Sequence, residues 1–217
     1  MAFTVSELMT DVRYKIIMPY TDDLDNTELL VYVNQMNREL YRQASMHCPQ
    51  VIWTDDDTGS TVASTATLTT SSSVKVMRWV VVQVNEVNLK VVNPRDIYDF
   101  SGEGQPVSFW PSGFTQVRLY PIPDAVYDYR LIYIAEPTAL ESTSTFAWPY
   151  DFYDLLLDGV SMVAKIRNAW DMRGEAEFFK EWRQEAISRL TSLTYENEYS
   201  ATRGYWGASI PLVKEDY

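Results

Sequence analysis

Asp57-Thr58-Gly59 is the sequence feature closest to known catalytic chemistry in this chain of 217 residues. Aspartic peptidases bring two such aspartates together so that the pair shares one proton, and an apolar strand ahead of each triplet buries it. Here Thr54, Asp55 and Asp56 precede the triplet and read as a hydrophilic hairpin tip, which argues against a peptidase. The same acidic run raises calcium as an alternative. A loop begun at Asp55, however, places Ser60 where the EF-hand needs glycine and Ala66 where it needs glutamate. Ser72-Ser73-Val74-Lys75 has the Ser-x-x-Lys spacing of penicillin-recognising enzymes but lacks their companion motifs.

His47 and Cys48 are the only histidine and the only cysteine. Adjacent side chains on a helix point about 100° apart, so the two are poorly placed to act as base and nucleophile. A histidine at a helix end is expected to face the terminal carbonyls. A zinc site cannot be built from this inventory, and no metal or cofactor is expected. Gly102-Glu103-Gly104 departs from the dinucleotide fingerprint at Val107 and reads as a turn. Asp22, Asp23 and Asp25 cluster beside a helix start, where carboxylates complement the helix dipole. These residues do not combine into a catalytic set, so the chain reads as a non-enzymatic protein that works by binding other chains.

Charge narrows the partners. With 30 acidic against 18 basic residues the net charge is −12. Proteins that grip nucleic acid use a basic surface to displace counterions from phosphate, so tight DNA binding is not expected. The apolar runs Trp79–Val82 and Leu155–Leu157 are far shorter than the roughly 20 residues of a membrane-spanning helix. Residues 1–14 lack the basic start and apolar run of a signal peptide, which implies folding in a cytoplasm. Aromatic residues make up 14% of the chain, many of them in turns and near the C-terminus. Aromatics with polar handles are enriched at protein interfaces.

The elements that carry these residues follow from periodicity. Thr4-Val5-Ser6-Glu7 has capping-box spacing, and Val5, Leu8, Val12 and Ile16 predict a helix to about Met18. Asp25-Asn26-Thr27-Glu28 repeats the device ahead of a second stripe, Leu29, Val33, Met36 and Leu40, with polar Asn34, Asn37 and Arg38 between, and Pro49 closes it. From Val51 the texture becomes β-branched and aromatic. Strands are predicted at 51–53, 62–70, 74–84, 87–92, 106–110, 116–120 and 127–134, separated by turn residues that include Asp55 to Gly59 and Asn85-Glu86. After Pro149 helical stripes return. Leu155, Leu156, Val160, Val163, Ile166 and Trp170 form one, and Phe178, Trp182, Ala186, Leu190 and Leu193 form another beyond a bend at Gly174.

Past Leu193 the period dissolves, and Tyr195, Tyr199, Tyr205, Trp206, Ile210 and Leu212 read as an extended arm suited to burial on a neighbour. The predicted class is α+β: a four-helix bundle-like helical domain with an inserted antiparallel β lobe and an extended C-terminal arm. Residues 1–50 and 147–194 would form the bundle, 51–146 the lobe and 195–217 the arm. Short helix pairs bury little alone, so the helices before and after the insertion should share one core.

Gly104-Gln105-Pro106-Val107-Ser108-Phe109-Trp110, then Val117-Arg118-Leu119-Tyr120-Pro121-Ile122-Pro123-Asp124, then Tyr129 to Pro137, then Pro149-Tyr150-Asp151-Phe152 leading into a helix, resemble the head-to-tail adaptor (connector) proteins of tailed bacteriophages. The resemblance covers nearly the whole chain and rests on strand and turn patterns. It implies a structural virion protein of the neck, made in the host cytoplasm, that forms a ring beneath the portal. Such a ring is usually a dodecamer. It would offer the tail, nozzle or stopper protein its attachment surface and let double-stranded DNA pass without specific binding. It further implies that the C-terminal segment engages the portal; Tyr195, Tyr199, Tyr205, Trp206, Ile210 and Leu212 stand at that position. A head-completion or tail-attachment protein is the alternative within virion proteins. Excess carboxylate around a channel would repel phosphate over roughly 8 to 10 Å at physiological salt, which agrees with passage without capture.

Overall fold

A computed structural model describes residues 2–16, 24–71, 74–97, 101–167 and 175–202. The chain divides into two compact units, Met1–Val51 with Ala139–Tyr217, and Ile52–Thr138. Four α-helices and two four-stranded sheets make it α+β among the described residues.

Helix α1 spans Val5–Lys15. Its capping box forms as the sequence indicates: the Thr4 hydroxyl accepts from the Glu7 amide at 3.2 Å, and the Thr4 amide donates to the Glu7 carboxylate at 2.8 Å. Helix α2 spans Asn26–His47. Its expected capping box does not form. Asp25 occupies the N-cap without a side-chain bond, and the Glu28 carboxylate instead accepts from the Tyr32 hydroxyl one turn on. Helices α3, Tyr153–Arg167, and α4, Glu175–Thr202, follow a short 3-10 turn at Tyr150–Phe152.

The apolar stripes bury where their period places them. Val5, Leu8, Val12, Leu29, Val33, Leu40, Leu156 and Val160 are fully enclosed. Trp182 of α4 donates its indole N–H to the Leu155 carbonyl of α3 at 2.7 Å. Gly159 permits this approach, since a Cβ there would lie 2.6 Å from Met36 Cε and 2.9 Å from the Trp182 nitrogen. Trp170 lies outside the described residues. Helices α2 and α3 each pack against both remaining helices, whereas α1 and α4 make no substantial contact with each other among the described residues. The unit therefore has α1 on one flank of a central pair and α4 on the other.

Two asparagines that the stripe reading left on a polar face do structural work. Asn37 is buried and accepts from the Trp148 indole at 2.9 Å. Asn34 clamps the returning chain by donating to the Leu140 carbonyl at 3.0 Å and accepting from its amide at 2.7 Å. Just beyond, the Val5 amide donates to Ser144, and the Phe146 amide donates to Phe3.

In the second unit, strands β1 (Thr54–Ser60), β8 (Asp128–Ala135), β3 (Val76–Val84) and β4 (Val87–Asn88) form one sheet in that order. Strands β2 (Thr67–Thr69), β7 (Gln116–Tyr120), β6 (Ser108–Pro111) and β5 (Lys90–Val91) form the other. Both contribute to one core that includes Leu68, Val82, Phe109, Leu119, Leu131 and Tyr133. Asn85 and Glu86 both have positive φ, 49° and 64°, the backbone of the two-residue hairpin turn that joins β3 to β4.

Three strand expectations need correction. Residues 49–51 form a 3-10 turn, so the predicted strand at 51–53 is absent. The run at 87–92 divides at Leu89, giving β4 to one sheet and β5 to the other, and β5 pairs parallel to β6. A purely antiparallel lobe is therefore wrong at that pair. The turn expected at Asp55 to Gly59 is instead strand β1, paired with β8 across a register shift between Thr54 and Asp57. A bulge absorbs the consecutive aspartates within the strand.

The helix expected to stop near Leu193 continues to Thr202. Loss of an apolar period marks the end of a buried stripe, not of a helix, and 194–202 contain no glycine or proline. Tyr195 and Tyr199 thus belong to α4 and not to an extended arm.

Candidate functional site

Each feature singled out above for chemistry has a definite place. Asp57 is 5% exposed, and its Oδ2 accepts from the Tyr133 hydroxyl at 3.0 Å and the Ser71 amide at 2.8 Å. It is not at a hairpin tip. Both donors converge on one carboxylate oxygen, so Asp57 ties β1 to β8 and to the chain after β2. Gly59 serves the same seam: a Cβ would stand 2.6 Å from the Tyr129 hydroxyl oxygen, so a larger residue would have to displace that ring. Burial, and the nearby Asp57 charge, push the Tyr129 hydroxyl above its ordinary value. The Asp-Thr-Gly triplet therefore has a structural explanation in which glycine passes a tyrosine ring and aspartate anchors another.

Replacing Asp57 by alanine leaves a buried hydroxyl and an amide without their acceptor, and should cost about 1–3 kcal/mol. Chemical denaturation of Asp57→Ala beside Asp57→Asn checks this. Asparagine keeps one acceptor oxygen and should lose less, whereas equal stability of all three proteins would contradict the assignment.

His47 is exposed in the last turn of α2, and Cys48 beside it is buried as the C-cap. Gly102 and Gly104 bond to Ile122 in both directions, so their backbone serves a turn. Asp25 is at the α2 N-cap, while Asp22, Asp23, Ser72 and Ser73 lie outside the described residues. Among the described residues, no three His, Cys, Asp or Glu side chains gather in reach of one metal ion.

Of the proposed partner-binding residues, Tyr195 and Tyr199 lie one turn apart on α4. Tyr205, Trp206, Ile210 and Leu212 lie outside the described residues.

Two depressions among the described residues of the helical unit were missed by sequence reading. One, of about 490 Å³, lies beside α1 and is lined by Phe3, Glu7, Asp11, Tyr150 and Tyr153. The Tyr150 and Tyr153 rings stack with centroids 5.3 Å apart at 3°. Tyr153 donates to the Asp11 carboxylate, and burial together with that bond pushes its hydroxyl far above the ordinary tyrosine value.

The other depression, of about 1010 Å³, runs between α2 and α4 and is lined by Val31, Arg38, Glu39, Arg42, Leu140 and Arg183, among others. The Glu39 Oε1 accepts from both Arg42 and Arg183 at 2.9 Å. Burial works against the Glu39 charge, but the bonds from Arg42, Gln43 and Arg183 outweigh it and hold the carboxyl below its usual range. The signal for both faces was present in the exposed spacing of α1 and α2, complementary to the buried stripes.

No curated protein matches the chain. A family model described as SU10 adaptor protein matches residues 3–206.

Proposed function

The chain belongs to the SU10 adaptor protein family, structural proteins that join phage head to tail, and we propose that it forms a ring beneath the portal protein. Copies of the four-helix unit would stand side by side around the channel, with the β lobe inserted between the second and third helices. The ring would be a dodecamer in the virion neck, assembled in the host cytoplasm, and would present the attachment surface for a tail, nozzle or stopper protein. The match over residues 3–206 carries this reading, because it spans helices and β insertion together. Among the described residues no helix is long and apolar enough to cross a membrane.

The C-terminal residues Tyr205, Trp206, Ile210 and Leu212, with Tyr195 and Tyr199 on α4, are the proposed dock for portal. Tyrosine and tryptophan supply large rigid contact area, which suits burial on a partner. Net charge of −12 fits a conduit that double-stranded DNA crosses without being held.

The test mixes the chain with purified portal and measures the mass of the complex, alongside titration of a labelled duplex at low and physiological salt. Assembly on portal is expected, with no measurable duplex affinity at physiological salt. Failure to bind portal would contradict the adaptor assignment. Tight duplex binding that weakens steeply with salt would replace the conduit by a DNA-gripping protein.

A further inference from the structure

The two depressions of the helical unit are lined by charges of opposite sign. On α1 the exposed positions Glu7, Thr10, Asp11 and Tyr14 recur at helical spacing, and Tyr14 is 70% exposed. Tyr150, 54% exposed, stands beside this face and is held by its stack on Tyr153. Glu7 and Asp11 are the charged residues lining this depression. Lys15, in the next turn of α1, is paired with Asp158.

On the α2–α4 side the exposed positions Val31, Gln35, Arg38 and Arg42 fall at the same spacing, and Arg183 of α4 joins them. Three arginines line this groove against one carboxylate, Glu39. That is a local reversal of sign in a chain with net charge −12. Its apolar wall is Val31, 58% exposed, with Leu140 and Phe179. The acidic aromatic face lies on α1 and the chain before α3, and the arginine groove on α2 and α4, so the two share no lining residue.

Two complementary surfaces at separate places on one molecule do not form a single self-complementary patch. They can pair head to tail, and such contacts close into rings when the rotation permits. We infer that the acidic α1 face of one copy, with Tyr14 and Tyr150, seats in the arginine-lined α2–α4 groove of the next copy. Aspartate and glutamate meet arginine across the contact, and the tyrosine rings cover Val31, Leu140 and Phe179. Complementary potentials of this kind fix register and suppress wrong pairings. The inference rests on the ring reading and names the faces that build it.

Charge exchange tests it on the full chain assembled with portal. Asp11→Arg and Arg42→Glu alter exposed residues on the two faces, and each alone should weaken assembly about tenfold or more. Mixed together, the two variants should assemble again, because each reversed face then meets its reversed complement in alternating order. Melting temperature controls for folding. As a second measure, Thr10→Cys with Gln35→Cys in one chain should give a ladder of covalent oligomers with a bismaleimide, and neither cysteine alone should. Unimpaired assembly of both charge variants, an impaired but unrescued mixture, or no ladder would overturn the pairing while the ring reading stands. A wild-type chain that binds portal as single copies would remove the ring and this contact together.

Discussion

Trp182→Ala is expected to cost about 3–5 kcal/mol and to unfold the helical unit at modest temperature. The ring is 2% exposed, and its N–H bond to Leu155 joins α4 to α3 at the point where Gly159 brings α2 into contact. Truncation therefore opens a cavity where three helices meet and leaves the Leu155 carbonyl without this donor. Gly159→Val approaches the same site from the other side: its Cβ alone would stand 2.6 Å from Met36 Cε and 2.9 Å from the indole nitrogen, so both side chains must shift. Calorimetry of both variants checks this. An unchanged melting temperature for Trp182→Ala would mean that the indole is not part of the core.

Removing residues 203–217 should leave the fold intact and abolish docking on portal. The deletion starts beyond the last residue of α4, so the buried stripe Trp182, Ala186 and Leu190 is untouched. Two aromatic anchors at about 2 kcal/mol each lower affinity roughly thousandfold, which defines the expected loss for Tyr205→Ala with Trp206→Ala. Circular dichroism and portal titration together separate the outcomes. A truncated chain with unchanged portal affinity would move the dock to another surface, and one that no longer folds would make the segment part of the core.

The helical half was legible because its stripes are strict: Leu29, Val33, Met36 and Leu40 bury as spaced, and the Thr4–Glu7 box caps α1. Sequence failed where tertiary context reverses a local preference. Three consecutive aspartates look like a turn, yet Asp57 lies within β1 because Tyr133 and Ser71 donate to it. Asn37 looks solvated until Trp148, 111 residues on, supplies its donor. Leu89 gives no local sign that the chain changes sheets there, since the strands on either side are only two residues each. The charged faces of α1 and α2 were hidden for a different reason. Apolar stripes mark the buried positions, and a binding surface between helices is written in the exposed ones.

The most direct test of the adaptor assignment is an image of the assembled virion vertex in which density for this chain can be traced. A closed ring of copies directly beneath the portal is expected, with the tail proteins below it and DNA on its axis. Density for the chain at any other place in the particle, or its absence from mature particles, would contradict the assignment.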